Sequence, residues 1–140
     1  VYGIFLMNRH RLADAERYYV KAKESAPDAA EPHLYYARLL SDQQRYQEAV
    51  TEFKAALDCE PNDAEAHLYY AQFLAKTESP SQADRHFRKA LELSPDDARA
   101  HFSYGVHLAK HGMRDRALTH YKRAMELDPE YEELVKRLLS

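Results

Sequence analysis

Residues 64–97 read AEAHLYYAQFLAKTESPSQADRHFRKALELSPDD, and the same pattern returns on both sides of them. The closing proline, Pro95, has counterparts at Pro27, Pro61 and Pro129, each 34 residues from the next. Upstream of each proline a small residue, an aromatic and a second small residue keep one register. They are Ala15, Tyr19, Ala22; Ala49, Phe53, Ala56; Ala83, Phe87, Ala90; and Ala117, Tyr121, Ala124. Further upstream stand Tyr2-Gly3 with Leu6, Tyr36-Ala37 with Leu40, Tyr70-Ala71 with Leu74, and Tyr104-Gly105 with Leu108. Self-similarity at a fixed period of this size marks a solenoid of stacked supersecondary units.

These residues resemble the tetratricopeptide repeat (TPR), a helix–turn–helix unit with the pattern W-x2-L-G-x2-Y, then A-x3-F-x2-A, then P. With the proline as position 32, the resemblance implies an all-α TPR solenoid, a right-handed superhelix of antiparallel helix pairs. It divides the chain into a partial repeat over 1–29, full repeats over 30–63, 64–97 and 98–131, and a capping helix over 132–140. A truncated fifth repeat is the alternative for that last segment. One departure is systematic: His33, His67 and His101 occupy position 4, where the family often has Trp, and Tyr replaces Leu at position 7.

The spacing accounts for the unit physically. Positions 4, 7, 8 and 11 form one face of the first helix, as His33, Tyr36, Ala37 and Leu40 do in the second repeat. Small residues at positions 8, 20 and 27 let the helices approach, and the aromatic at position 24 fills the space beside them. Ser79-Pro80-Ser81-Gln82 reads as an N-cap, a first-turn proline and a capping-box glutamine. Asp58-Cys59-Glu60-Pro61 and Leu127-Asp128-Pro129 end second helices. Asn62-Asp63 and Asp96-Asp97 offer acceptors to the next helix's free N–H groups. The tail runs from acidic Glu130 to Lys136-Arg137, the order that suits a helix dipole.

Composition narrows the function. Hydrophobic residues make up 45%, with 3 glycines and 6 prolines, which fits a helical chain with a continuous core. A net charge of −3 gives no broad positive field, so nucleic acid is not the expected partner. Cys59 is the single cysteine, leaving neither an internal disulfide nor a cysteine-rich zinc site. No apolar run approaches membrane-spanning length, and a cytoplasmic location is expected. The chain starts at Val1, inside a helix, and reads as a segment of a longer protein.

No enzymatic constellation emerges. His33, His67 and His101 lie one repeat apart and read as packing residues with a polar tip. His107 and His111 are i, i+4 neighbours but lack the zinc-protease Glu and a third ligand. His10, His86 and His120 have no partner signal, and no carboxylate pair stands out. No metal or cofactor is expected.

The opposite side of the first helices carries the informative signal. Positions 2, 5, 6, 9, 12 and 13 lie half a turn from the packing face and should be polar. Instead Leu34, Leu68 and Phe102 form one row and Tyr35 and Tyr69 another, flanked by Arg38, Gln72, Arg99 and Val106. The family resemblance implies that first helices line a concave groove, so these nine residues are the expected partner-binding surface for a protein or peptide. Leu34, Leu68 and Phe102 also read as packing between repeats. The family's carboxylate clamp for chaperone tails is not matched, since its positions hold Leu34, Arg38, Tyr69, Arg99 and Ser103, or Ile4, Tyr35, Glu65 and Tyr69 in the earlier register. The asparagine ladder of sugar-transferring relatives is replaced by Val1, Tyr35, Tyr69 and Ser103. The reading is a non-catalytic interaction scaffold. The alternatives are a recruiting arm of a larger enzyme and a self-association module.

Overall fold

The computed structural model describes residues 2–77 and 79–140, with side chains from Arg11 onward. Eight helices occupy the described residues: α1 (Tyr2–Ser25), α2 (Ala30–Asp42), α3 (Tyr46–Cys59), α4 (Ala64–Lys76), α5 (Pro80–Leu93), α6 (Ala98–Lys110), α7 (Arg114–Leu127) and α8 (Tyr131–Leu139). The expectations for the side chains of Val1, Tyr2, Gly3, Ile4, Phe5, Leu6 and His10 lie outside the described residues. Two compact units divide the chain, Val1–Ala66 and His67–Ser140.

In the first unit α2 packs against both α1 and α3. Its core is Leu34, Tyr36, Ala37 and Leu40 from α2 with Ala49, Phe53 and Ala56 from α3, all buried. These are the small and aromatic positions of the repeat pattern. The α2–α3 turn places Gln44 at φ 62°, and the Arg45 amide donates to the Leu40 carbonyl at 2.9 Å. Tyr2–Ser25 form the single helix α1, with no turn inside it.

A polar latch ties α1 to α2 and α3. Buried Tyr36 donates its hydroxyl to Glu16 at 3.1 Å, and the Arg45 guanidinium donates to Glu16 at 2.8 Å and also to Glu48. The hydrogen bond from Arg45 holds the Glu16 carboxyl below its ordinary range, while burial and Glu16 raise the Tyr36 phenol.

The second unit repeats this plan. Buried Tyr104 of α6 donates to Asp84 of α5, and its oxygen accepts from Arg116 at 3.0 Å and Arg88 at 3.2 Å. Tyr104 stands 68 residues after Tyr36 in the sequence, and Asp84 68 after Glu16, so the latch holds the same repeat register. α6 packs on α7 around Ala100, Leu108, Ala117, Tyr121 and Ala124. At Gly105 the two helices pack tightly: a Cβ there would stand 2.7 Å from two carbons of the Tyr121 ring. Gly112 turns the chain at φ 81°, the place Gln44 holds in the first unit. α8 packs on α7 through Val135, and Tyr131 lays its ring 4.9 Å from Phe102.

The helix ends follow the sequence with one exception. Asp63 accepts from the amides of Glu65 and Ala66 at 3.0 and 3.4 Å, and Asp97 from those of Arg99 and Ala100 at the same distances. α3 ends at Cys59 and α7 at Leu127, just ahead of their prolines. Ser79 and Pro80 do begin α5, but the Ser79 side chain makes no cap hydrogen bond. At φ −117°, ψ 65° its backbone lies off the extended conformation that aims a capping hydroxyl at the first turn.

Candidate functional site

The nine residues expected on the outward face of the first helices separate into three groups. Leu34 and Leu68 are 2% and 1% exposed, enclosed in the core. A second group is accessible but organised by neighbours. Tyr35 is half-buried and stacks on Tyr19 at 6.2 Å, with the exposed Arg38 guanidinium 5.9 Å from its ring centre. In the second unit the Tyr69 hydroxyl accepts from Arg99 at 3.2 Å, and the Gln72 amide donates to Ser103 at 2.9 Å. Phe102 is half-buried between Tyr121 and Tyr131, at 5.9 and 4.9 Å.

Val106 is the third case. It is 38% exposed and lines a pocket of about 580 Å³ in the second unit. Ala109, Leu118, Tyr121, Leu138 and Leu139 supply apolar walls, and Lys110 and Arg114 add two cations. The tail therefore contributes to the pocket: α8 buries Val135 while leaving Leu138 and Leu139 exposed. Such a pocket can take an apolar side chain, and the cations can take an acidic neighbour. A pocket in the first unit has the opposite charge. Its volume is about 350 Å³, and Glu31, Glu60, Asp63 and Glu65 line it together with Leu34 and Tyr35.

The structure also pairs side chains that have no visible partner in the sequence. Each position-4 histidine meets the residue 19 positions later on the second helix of its repeat. His33 Nδ1 lies 2.7 Å from Glu52, whose carboxylate also binds Lys23. His67 and His86 bring their Nδ1 atoms to 2.9 Å, and His101 and His120 bring theirs to 3.0 Å. Glu52 is 7% exposed, so a carboxylate that reads as surface charge is part of the core. Burial, the neighbouring His67 and Arg85 together depress His86 to about 4, and burial with His101 and Arg116 also lowers His120. His107 is 4% exposed, with its ring 4.7 Å from that of His111. Among the described residues no three histidine, cysteine or acidic side chains converge on a metal position. Cys59 is half-buried at the end of α3, and burial raises its thiol.

The internal repeats hold the signal for these pairs. Positions 4 and 23 are both histidine in the third and fourth repeats and His with Glu in the second. Comparing the chain with itself reveals a contact that neither helical period predicts.

Among the described residues no helix is long and apolar enough to cross a membrane. A tetratricopeptide-repeat family model matches residues 6–73 and 40–101, and a second model of the same description matches residues 74–132. No curated protein matches the chain. Among solved structures, PilF of Pseudomonas aeruginosa superposes with a TM-score of 0.80 at 20% identity, covering 91% of this chain and 58% of its own. MamA gives 0.75 at 20% identity, with 88% and 72% covered. YrrB, a TPR protein with an unusual peptide-binding site, gives 0.68 at 30% identity, with 89% and 64% covered.

Proposed function

From the premise that this chain belongs to the tetratricopeptide-repeat family, an all-α solenoid fold of interaction modules, we propose that it is a non-catalytic scaffold that binds a peptide segment of a partner protein. The observation that carries this reading is the pocket of Val106, Leu118, Tyr121, Leu138 and Leu139 bordered by Lys110 and Arg114. The peptide class it suits is an apolar anchor with an acidic residue beside it. Tyr69 and Gln72 of α4, joined by hydrogen bonds to Arg99 and Ser103 of α6, give a pre-ordered polar surface along which a peptide backbone can pair. YrrB, at 30% identity, is a peptide binder on the same fold, which supports the class of ligand.

Display selection from a random peptide library tests the proposal. Selected peptides are expected to share an apolar residue next to Asp or Glu, and Val106→Asp is expected to weaken them by at least about tenfold, roughly 1.4 kcal/mol. Val106 is partly exposed, so the variant should melt close to the parent chain. Selected peptides that bind Val106→Asp undiminished would remove the pocket as the site. Sedimentation of the free chain separates peptide binding from self-association through exposed Leu134, Leu138 and Leu139.

A further inference from the structure

The paired histidines occur twice, in settings that differ in their access to solvent. His67 is buried beside a half-buried His86, whose ring lies 4.7 Å from that of Tyr70, as the His120 ring lies 4.8 Å from that of Tyr104. His101 and His120 are instead both only half-buried and line a pocket of about 460 Å³ together with Asp96, Thr119, Lys122, Arg123 and Glu126.

The outer nitrogen of His101 fixes the chemistry of its inner one. His101 Nε2 is 2.7 Å from the Pro95 carbonyl oxygen, which can only accept, so Nε2 carries the proton. Nδ1 of the neutral ring then points a lone pair at His120. A ring nitrogen that donates to a backbone carbonyl while the other keeps its lone pair is the orientation that metal-ligating histidines adopt. The facing His120 Nδ1 is 3.0 Å away. Two metal–nitrogen bonds of about 2.0–2.1 Å separate their nitrogens by about 2.9 Å at a right angle and by about 3.3 Å in a tetrahedron. A hydrogen bond of this length holds the two nitrogens at close to the separation of neighbouring ligands on one ion.

We propose that the His101–His120 pair is a surface binding site for a divalent transition-metal ion, Cu(II) foremost, with two imidazole ligands and water completing the coordination. No third protein ligand converges there among the described residues, so affinity rests on the ion's own preference for nitrogen, which is highest for Cu(II) in the first row. On binding, the His120 proton moves from Nδ1 to Nε2 through solvent, the two Nδ1 lone pairs bind the ion, and no proton is released from the neutral pair. Asp96 and Glu126 stand on the same pocket wall and add negative charge. Arg123 binds both, at 2.8 and 3.2 Å, and with Lys122 it opposes the incoming cation, which keeps binding moderate.

The test is calorimetric titration of the tag-free chain with Cu(II) at neutral pH, followed by electron paramagnetic resonance of the loaded protein. The expected result is coupling to two nitrogens and an affinity that falls at least about tenfold in His120→Gln while His111→Gln is unchanged. His120→Phe retains a ring against Tyr104 and serves where the Gln variant melts early. Undiminished affinity in the His120 variants, or a loss that falls on His111→Gln instead, would overturn the proposal and leave adventitious surface binding only.

Discussion

His33 in the first unit and His101 in the second hold the same place in their repeats and the same backbone anchor. Each sets Nε2 against the carbonyl of a repeat-closing proline, Pro27 at 3.2 Å and Pro95 at 2.7 Å. What differs is the residue 19 positions on. Glu52 turns the first site into a cluster with Lys23, whereas His120 turns the second into a pair of facing rings with nitrogens 3.0 Å apart. One backbone thus supports an ion-pair cluster and a potential ligand pair, and a single helix-facing position decides between them. The repeat supplies geometry, and the side chain at position 23 supplies chemistry.

The largest expected break in this comparison is Glu52→Ala. It strips the buried acceptor from Lys23 and His33 together, at a cost of about 3 kcal/mol, because breaking a largely desolvated ion pair strands its partners. His120→Ala should cost about 1 kcal/mol, since the His101 nitrogen it leaves faces a pocket that water can enter. Urea unfolding measures both, and equal losses would mean that the two sites are energetically alike.

A second difference lies at position 8, alanine in α2 and α4 and glycine in α6. Gly105→Ala gains helix propensity but drives a methyl group into the buried Tyr121 ring, for a net cost of roughly 1–3 kcal/mol by thermal melt. An increase in melting temperature would show that Tyr121 shifts freely.

The pH dependence of stability offers another comparison, through His86 of the second unit. His86 is held to about 4, below its ordinary value near 6.5, so the folded state favours the neutral ring. Its contribution is complete above pH 6.5 and is lost as the pH falls toward 4. Unfolding midpoints between pH 7 and 4 should decline more steeply in the parent chain than in His86→Phe. Parallel declines would assign the acid sensitivity to other groups.

Much of the fold is legible in the sequence because its causes are local. A proline ends each second helix, Asp63 and Asp97 cap from two residues away, and Ala49, Phe53 and Ala56 share a face at helical spacing. The candidate site is legible only in outline. Tyr35, Arg38, Tyr69, Gln72 and Arg99 keep accessible surface, but whether Leu34 and Leu68 face solvent depends on what packs over them, which spacing along one helix does not specify. Glu52, His86 and His120 escape for a related reason: their partners lie 19 residues away, across a helix pair. The apolar pocket needs the tail as well, since α8 brings Leu138 and Leu139 beside Val106 and Leu118.

The most direct test of the peptide-binding account is amide chemical-shift mapping with a peptide selected for an apolar residue beside an acid. The account predicts shifts centred on Val106, Ala109, Lys110, Leu118 and Leu138. Shifts confined to the pocket of Glu31, Glu60 and Glu65 in the first unit, or to the His101–His120 surface, would contradict it.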